Sequence, residues 1–275
     1  MCKFCVEHGD GKTWYLEAST YAYDLDSDLK RRDYFIDFVR DFPSAEDAAR
    51  GLERFEKLPA RLQHLAKSAV SRRMQDIHFG QTVPIEECAA ILDICTSVVR
   101  VPCVCRTSAK TRDDGYCLAV TTKPIDAHLE EAFADYDMGP DLAKFERLTK
   151  EQTLALLRRC EEQGLMHSVW TFITPYVAGI CNCDLASGCL AMSTTVTHDM
   201  PLMFKGHSIA RADIEACTGC RACVERCPFG ALAVDAGSKR AVVDDEKCYG
   251  CGVCRSACRY DALALVPREI AGSAA

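Results

Sequence analysis

The chain has 275 residues, 48% of them hydrophobic, with a formal net charge of −7; this is enough for two domains. The negative balance argues against nucleic acid as the main partner, and no run of about 18 apolar residues is present to span a membrane. Nineteen cysteines without an apolar leader stretch argue against the short, disulfide-stapled secreted class, so a cytoplasmic protein whose reduced thiols serve metals is expected.

Residues 2–8 carry Cys2, Cys5 and His8 at three-residue steps, beside Gly9 and Gly11. These three can converge on one metal, with a fourth ligand from elsewhere. The bland alternative is a frayed terminus with incidental thiols. Residues 28–78 read as three helices. Leu29, Phe35, Ile36, Phe38 and Val39 form the apolar face of the first. Ser44 with Asp47 resembles a capping box opening the second. Pro59 suits the first turn of the third, where Leu62, Leu65, Ala66, Ala69, Val70 and Met74 are expected to be core. His64 and His78 stand alone and are not expected to ligate. Pro84 opens a further helix to about Ser97, on which Cys88 and Cys95 pack as small hydrophobes.

A β-rich run follows and ends in Cys103 and Cys105; Cys117 comes after a polar loop containing Asp113 and Asp114. Thr149 and Gln152 form a second capping box, and the helix they open stops at Gly164. After residues 165–170 a β-like run, 171–180, leads to Cys181 and Cys183, with Cys189 after Gly188. Helix, strand, C-x-C and a further cysteine thus occur twice, which suggests an internal pseudo-repeat. Two such loops facing each other supply four thiolates for an extra [4Fe–4S] cluster, drawn from Cys103, Cys105, Cys117, Cys181, Cys183 and Cys189. Structural zinc or a metal-free cysteine core are the alternatives, since tetrahedral sulfur suits zinc and iron alike. His167 could ligate, hydrogen-bond a cluster or relay a proton; capping the preceding helix end is the simpler reading. His198 and His207 flank a linker at 197–206 and read as loop residues.

The densest signal lies last. Cys217, Cys220, Cys223 and Cys227 have the spacing C-x2-C-x2-C-x3-C, which returns as Cys248, Cys251, Cys254 and Cys258. That run marks a [4Fe–4S] site, and in two-cluster ferredoxins the fourth cysteine serves the other cluster. The expected sets are therefore Cys217, Cys220, Cys223 and Cys258, and Cys248, Cys251, Cys254 and Cys227. Residues 210–217 align with 241–248, so the duplication extends beyond the thiols. A zinc ribbon would show two separate C-x2-C pairs instead. Over about 205–268 the chain resembles the bacterial two-[4Fe–4S] ferredoxins; Arg259 stands where the first half has Pro228. Between 208 and 266 eight basic residues balance eight acidic ones. That neutrality favours a fixed internal partner over a freely docking carrier.

The segments around Cys103 and Cys105, Gly164 to His167, and Cys181 to Asp184, with the Cys2, Cys5, His8 start, are similar to poorly characterised iron–sulfur proteins of anaerobic bacteria. Those carry a helical cysteine-rich segment before a two-cluster ferredoxin domain. The resemblance implies cofactors and order of domains but no defined activity. Where such proteins often continue with a further cysteine, this chain has Asp184.

The fold expected is α+β: a mainly helical, cysteine-rich N-terminal domain over 1–200 with a few strands, then a ferredoxin-like α+β domain over 205–268. The function expected is electron transfer through two ferredoxin-type [4Fe–4S] clusters plus an extra cluster or zinc. The alternatives are a redox enzyme or reductive activator whose N-terminal cluster binds a substrate or partner cofactor, and a redox or metal sensor using Cys2, Cys5 and His8. No Rossmann fingerprint, P-loop or nucleophile triad is present, so no catalytic residue is named. A redox protein is the expected partner; self-association and membership of a larger redox complex both stay open. Arg221, Arg226, Arg255 and Arg259 lie near the clusters, to tune potential, guide docking or simply face solvent.

Overall fold

A computed structural model describes residues 2–21, 29–109, 116–122 and 146–268. The polar loop around Asp113 and Asp114 lies outside the described residues. The N-terminal part is organised by a seven-stranded sheet of order β4-β2-β3-β6-β5-β1-β7. Its strands are β1 (Gly80–Val83), β2 (Ser97–Val101), β3 (Cys117–Thr121), β4 (Glu146–Arg147), β5 (Met166–Thr171), β6 (Val177–Cys183) and β7 (Met203–Phe204). All pairs are antiparallel except β1 with β7. Helices α1 (Lys3–His8), α2 (Leu29–Arg40), α3 (Ala45–Glu56), α4 (Ala60–Gln75), α5 (Ile85–Ile94), α6 (Val104–Ser108), α7 (Lys150–Gln163) and α8 (Leu190–Met192) complete it.

The expected helices are present, and the strands form a larger sheet than the few strands expected; that sheet is the frame on which the helices pack. Its inner strands hide their period: β1 and β5 are buried at every position, polar ones included, as strands covered on both faces are. The expected long run at 171–180 is divided by a turn between β5 and β6, where Pro175 has no N–H to offer a ladder. The pseudo-repeat is partial, because the second copy contains this additional strand.

Local signals explain the start of α3 and both ends of α7. Ser44 Oγ accepts the Asp47 N–H at the start of α3. Thr149 and Gln152 form a reciprocal capping box at α7, and Gly164 closes that helix with φ 90°. On α4 the expected core face is wrong: Leu62 and Leu65 are 51% and 60% exposed. The main core lies between the sheet, α5, α7 and the N-terminal residues, around Phe79, Ile91, Leu157, Val169 and Ile180. Cys88 and Cys160 are buried in it as small apolar groups.

The C-terminal part contains two ladders, β8 (Ser208–Ala212) with β11 (Leu263–Pro267) and β9 (Leu232–Val234) with β10 (Ala241–Val243). Short helices α9 (Ala222–Arg226) and α10 (Val253–Ser256) follow the cysteine loops. The repeat is visible in the backbone. Cys217 N–H bonds to Asp213 O at 3.0 Å and Cys248 N–H to Asp244 O at 2.9 Å. Among the described residues no helix is long and apolar enough to cross a membrane.

Candidate metal centres

The duplicated loops gather two sets of thiols. Cys217, Cys220, Cys223 and Cys258 line one small cavity. Cys248, Cys251, Cys254 and Cys227 line another. In each set the fourth cysteine comes from the opposite repeat. The loops close tightly at two glycines. Gly219 has φ 70° and Gly250 φ 75°, and a Cβ at either would lie about 2 Å from a carbonyl oxygen, Lys239 O or Ser208 O. Backbone N–H groups point at the sulfurs: Ala231 to Cys227 Sγ and Ala262 to Cys258 Sγ, both 3.4 Å, and Ala241 to Cys217 Sγ, 3.3 Å. Four thiols with N–H donors around each cavity are a donor set that fits an iron–sulfur cluster. Burial raises the Cys223 and Cys254 thiols and pushes Cys251 up to about 12, so metal binding there releases protons. Cys220 alone of the eight is exposed.

Six cysteines of the N-terminal part form a closed ring. Each thiol is influenced by two neighbours, in the order Cys103, Cys105, Cys189, Cys183, Cys181, Cys117 and back to Cys103. The sheet makes this possible. Antiparallel pairing brings the C-terminal ends of β2 and β6 beside the N-terminal end of β3. Cys103 and Cys105 follow β2, Cys117 opens β3, Cys181 and Cys183 share one face of β6, and Cys189 precedes α8. All six thiols are held above the ordinary thiol range. For Cys103, Cys117, Cys181 and Cys183 the influence of a ring neighbour is the largest cause and burial adds to it. For Cys105 and Cys189 one neighbour lowers the value, and the other neighbour with burial outweighs it.

No three of the ring sulfurs lie within 4.8 Å of one another. Among the described residues only Cys2, Cys5 and His207 bring three metal-ligating atoms within 4.8 Å of one another. Tetrahedral zinc with bonds of about 2.3 Å needs its sulfurs roughly 3.8 Å apart. The ring and the ferredoxin sets share a wider spacing. The ring also borders an apolar cavity of about 390 Å³ walled by Phe35, Phe38, Trp170, Phe172 and His78. Burial lowers the His78 imidazole to about 4, so it lines that cavity as a neutral ring.

Two kinds of contact tie the N-terminal part to the C-terminal loops. Cys251 packs in one buried cluster with Cys183, Cys189, Met166 and Val253. Beside it, Arg255 grips Glu86 of α5 through hydrogen bonds of 2.7 and 2.9 Å, while Arg226 donates to Glu162 O at 3.1 Å. Two of the arginines near the loops are thus engaged by the N-terminal part.

His167 is fully buried on β5. Its Nδ1 lies 2.6 Å from Asn182 Oδ1, between the two cysteines of β6. Its Nε2 has no hydrogen-bond partner and sits 3.9 Å from Glu161 Oε1, which also has none. Helix capping, the simpler reading, is not its role.

At the N-terminus, Cys2 caps α1 and Cys5 lies one turn on, with their sulfurs 2.8 Å apart. The histidine facing them is His207, at 3.1 and 3.2 Å, and not His8. Six residues along a helix advance about 9 Å and turn well off the Cys2 face; His8 accordingly sits beside Glu7. Cys2 is held far below the ordinary thiol range, chiefly by the hydrogen bond with Cys5 and then by His207. Sequence reasoning passed over His207 because 202 residues separate it from Cys5.

Comparison with known families gives one match. A family model described as a 4Fe-4S dicluster domain covers residues 216–262. No curated protein matches the chain. A ferredoxin-type iron–sulfur domain that binds 4Fe–4S therefore lies at the C-terminus.

Proposed function

We propose that this is an electron-transfer protein with three iron–sulfur centres in series, built as two domains over 1–200 and 205–268. Cys217, Cys220, Cys223 and Cys258 hold the outer cluster. Cys248, Cys251, Cys254 and Cys227 hold the inner one. The six-cysteine ring holds the third centre. Electrons enter near exposed Cys220, where a partner redox protein docks, and leave the inner cluster toward the ring.

The observation that carries this reading is the shared packing of Cys251 with Cys183 and Cys189. Thiols assigned to two of the proposed centres thus share one buried apolar cluster. The N–H···S contacts supply one means of setting potentials, and burial supplies another. An anaerobic redox titration followed by electron paramagnetic resonance tests the series. Three separable reducible signals are expected; two signals would remove the ring from the chain of centres.

A second reading rests on the cavity of about 390 Å³ against the ring. A pocket of this size and apolar lining suits a small ligand or part of a larger one. The third centre would then be where an apolar substrate or a partner's cofactor receives electrons. A change in the third signal on adding such a ligand supports it. Indifference to every ligand small enough to enter, with the transfer series intact, removes it.

A further inference from the structure

We propose that Cys2, Cys5 and His207 bind a single zinc-class divalent ion, separate from the iron–sulfur centres, which clasps α1 to the start of β8. The proposal is independent of the electron-transfer reading. Its first support is spacing. The Sγ–Sγ separation is 2.8 Å, and His207 Nε2 lies 3.1 Å from Cys5 Sγ and 3.2 Å from Cys2 Sγ. Ligands of a tetrahedral zinc stand roughly 3.5–3.8 Å apart, from bond lengths of about 2.0–2.3 Å. The three atoms need part by less than about 1 Å to admit the ion. The cluster-binding cysteines, by contrast, include no such close triple among the described residues.

The second support is the shell behind the histidine. His207 Nδ1 lies 2.7 Å from Tyr15 Oη, and Tyr15 Oη donates to Glu87 Oε2 at 2.5 Å. With Nε2 turned to the thiols, Nδ1–H donates to Tyr15, whose hydroxyl proton goes to the carboxylate. Metal-bound histidines are held by such an outer partner, which fixes tautomer and ring orientation. Tyr15 is fully buried, and its ring stacks on His207 at 5.4 Å. A histidine left in a loop by chance would not be held on both nitrogens.

The third support is position. Cys2 and Cys5 belong to the first helix, whereas His207 immediately precedes β8 of the ferredoxin domain. The ion therefore joins parts of the chain that no local interaction connects. Only three protein ligands converge, and they line a broad cleft of about 1320 Å³ with Lys205, Arg211 and Tyr249. The fourth position faces that cleft and takes a water or small anion, the pattern of zinc sites with an exchangeable ligand.

Zinc and iron per chain, measured on anaerobically purified full-length protein equilibrated with zinc chloride and gel-filtered, test this. About one zinc is expected in the wild type and in His8→Ala, and essentially none in Cys2→Ser, Cys5→Ser or His207→Ala. Iron unchanged in these variants shows that they fold. Tyr15→Phe should weaken zinc affinity about 10- to 100-fold in a chelator competition. X-ray absorption at the zinc edge should show two sulfur neighbours, with the rest nitrogen or oxygen. Zinc absent from the wild type, zinc retained in Cys2→Ser and His207→Ala, or a Cys2–Cys5 disulfide in its place overturns the proposal.

Discussion

Cys251, in the second cysteine loop of the ferredoxin-type domain, and Cys183, at the end of β6, are walls of the same buried apolar cluster. Their proximity makes the inner set the bridge between the C-terminal domain and the six-thiol ring. Cys251→Ala should remove about four irons, the content of one cluster. The ring centre should keep its iron yet no longer be reduced by a donor that reduces the wild type within mixing time. Rapid-mixing spectroscopy at the ring centre's signal checks both parts. A ring centre reduced at the wild-type rate would mean that electrons reach it by another route.

The glycines of the cluster loops give a steric prediction. Gly219→Ala and Gly250→Ala combine a left-handed φ with a carbonyl oxygen about 2 Å from the new methyl. Each should cost more than about 1–2 kcal/mol and lower iron content. Gly51→Ala is the control. It lies in α3 with no atom within 4 Å of the added methyl, and helix propensity alone should stabilise by up to about 1 kcal/mol. Denaturant unfolding with iron analysis separates the two kinds of glycine.

The Arg255–Glu86 pair fastens α10 to the start of α5. The Arg255 hydrogen bonds hold the Glu86 carboxyl below the usual carboxylate range, against burial. Its contribution is present above the unfolded value of 4.5 and is lost as pH falls below it. Glu86 is largely exposed, so Glu86→Gln should cost only about 0.5 kcal/mol. The measurement is unfolding midpoint at neutral pH, where a cost of several kcal/mol would mean that the pair holds the domains together by more than its charge.

His167 makes the folded state acid-sensitive from inside the N-terminal part. Burial holds its imidazole down to about 4, from 6.5. Its neutral-state stabilisation is therefore complete above 6.5 and lost as pH falls toward 4, by on the order of 3 kcal/mol in total. Glu161 acts in the opposite sense, because burial holds its carboxyl up to about 6. That contribution is present below 4.5 and lost as pH rises through 6. His167→Gln isolates the histidine: its unfolding midpoint should fall less than that of the wild type between pH 7.5 and 5. Equal falls would assign the acid sensitivity to other groups.

What could be read in advance followed from how local each feature is. The ferredoxin cysteines lie in two short runs, 217–227 and 248–258, so their spacing marks them, while the crossed fourth cysteine follows from the resemblance to two-cluster ferredoxins. Ser44, Thr149 with Gln152, and Gly164 act within one helical turn and were equally legible. The ring was legible as six residues but not as an order, because that order depends on the pairing of β2, β3 and β6. The sheet itself was concealed by strands such as β5, where His167, Ser168 and Thr171 are as buried as Met166 and Val169. Without polar–apolar alternation there is no period of two to detect. The exchange of His8 for His207 has the same origin, since a contact across 202 residues leaves no trace in a local pattern.

The ring of Cys103, Cys105, Cys117, Cys181, Cys183 and Cys189 is proposed to hold a third iron–sulfur centre. The most direct measurement is iron and sulfide per chain on anaerobically purified protein, wild type beside Cys181→Ala/Cys183→Ala. About twelve irons or more are expected in the wild type, three four-iron clusters' worth, and about eight in the double variant. About eight irons in both would contradict it and leave a two-cluster ferredoxin domain joined to a metal-free thiol ring.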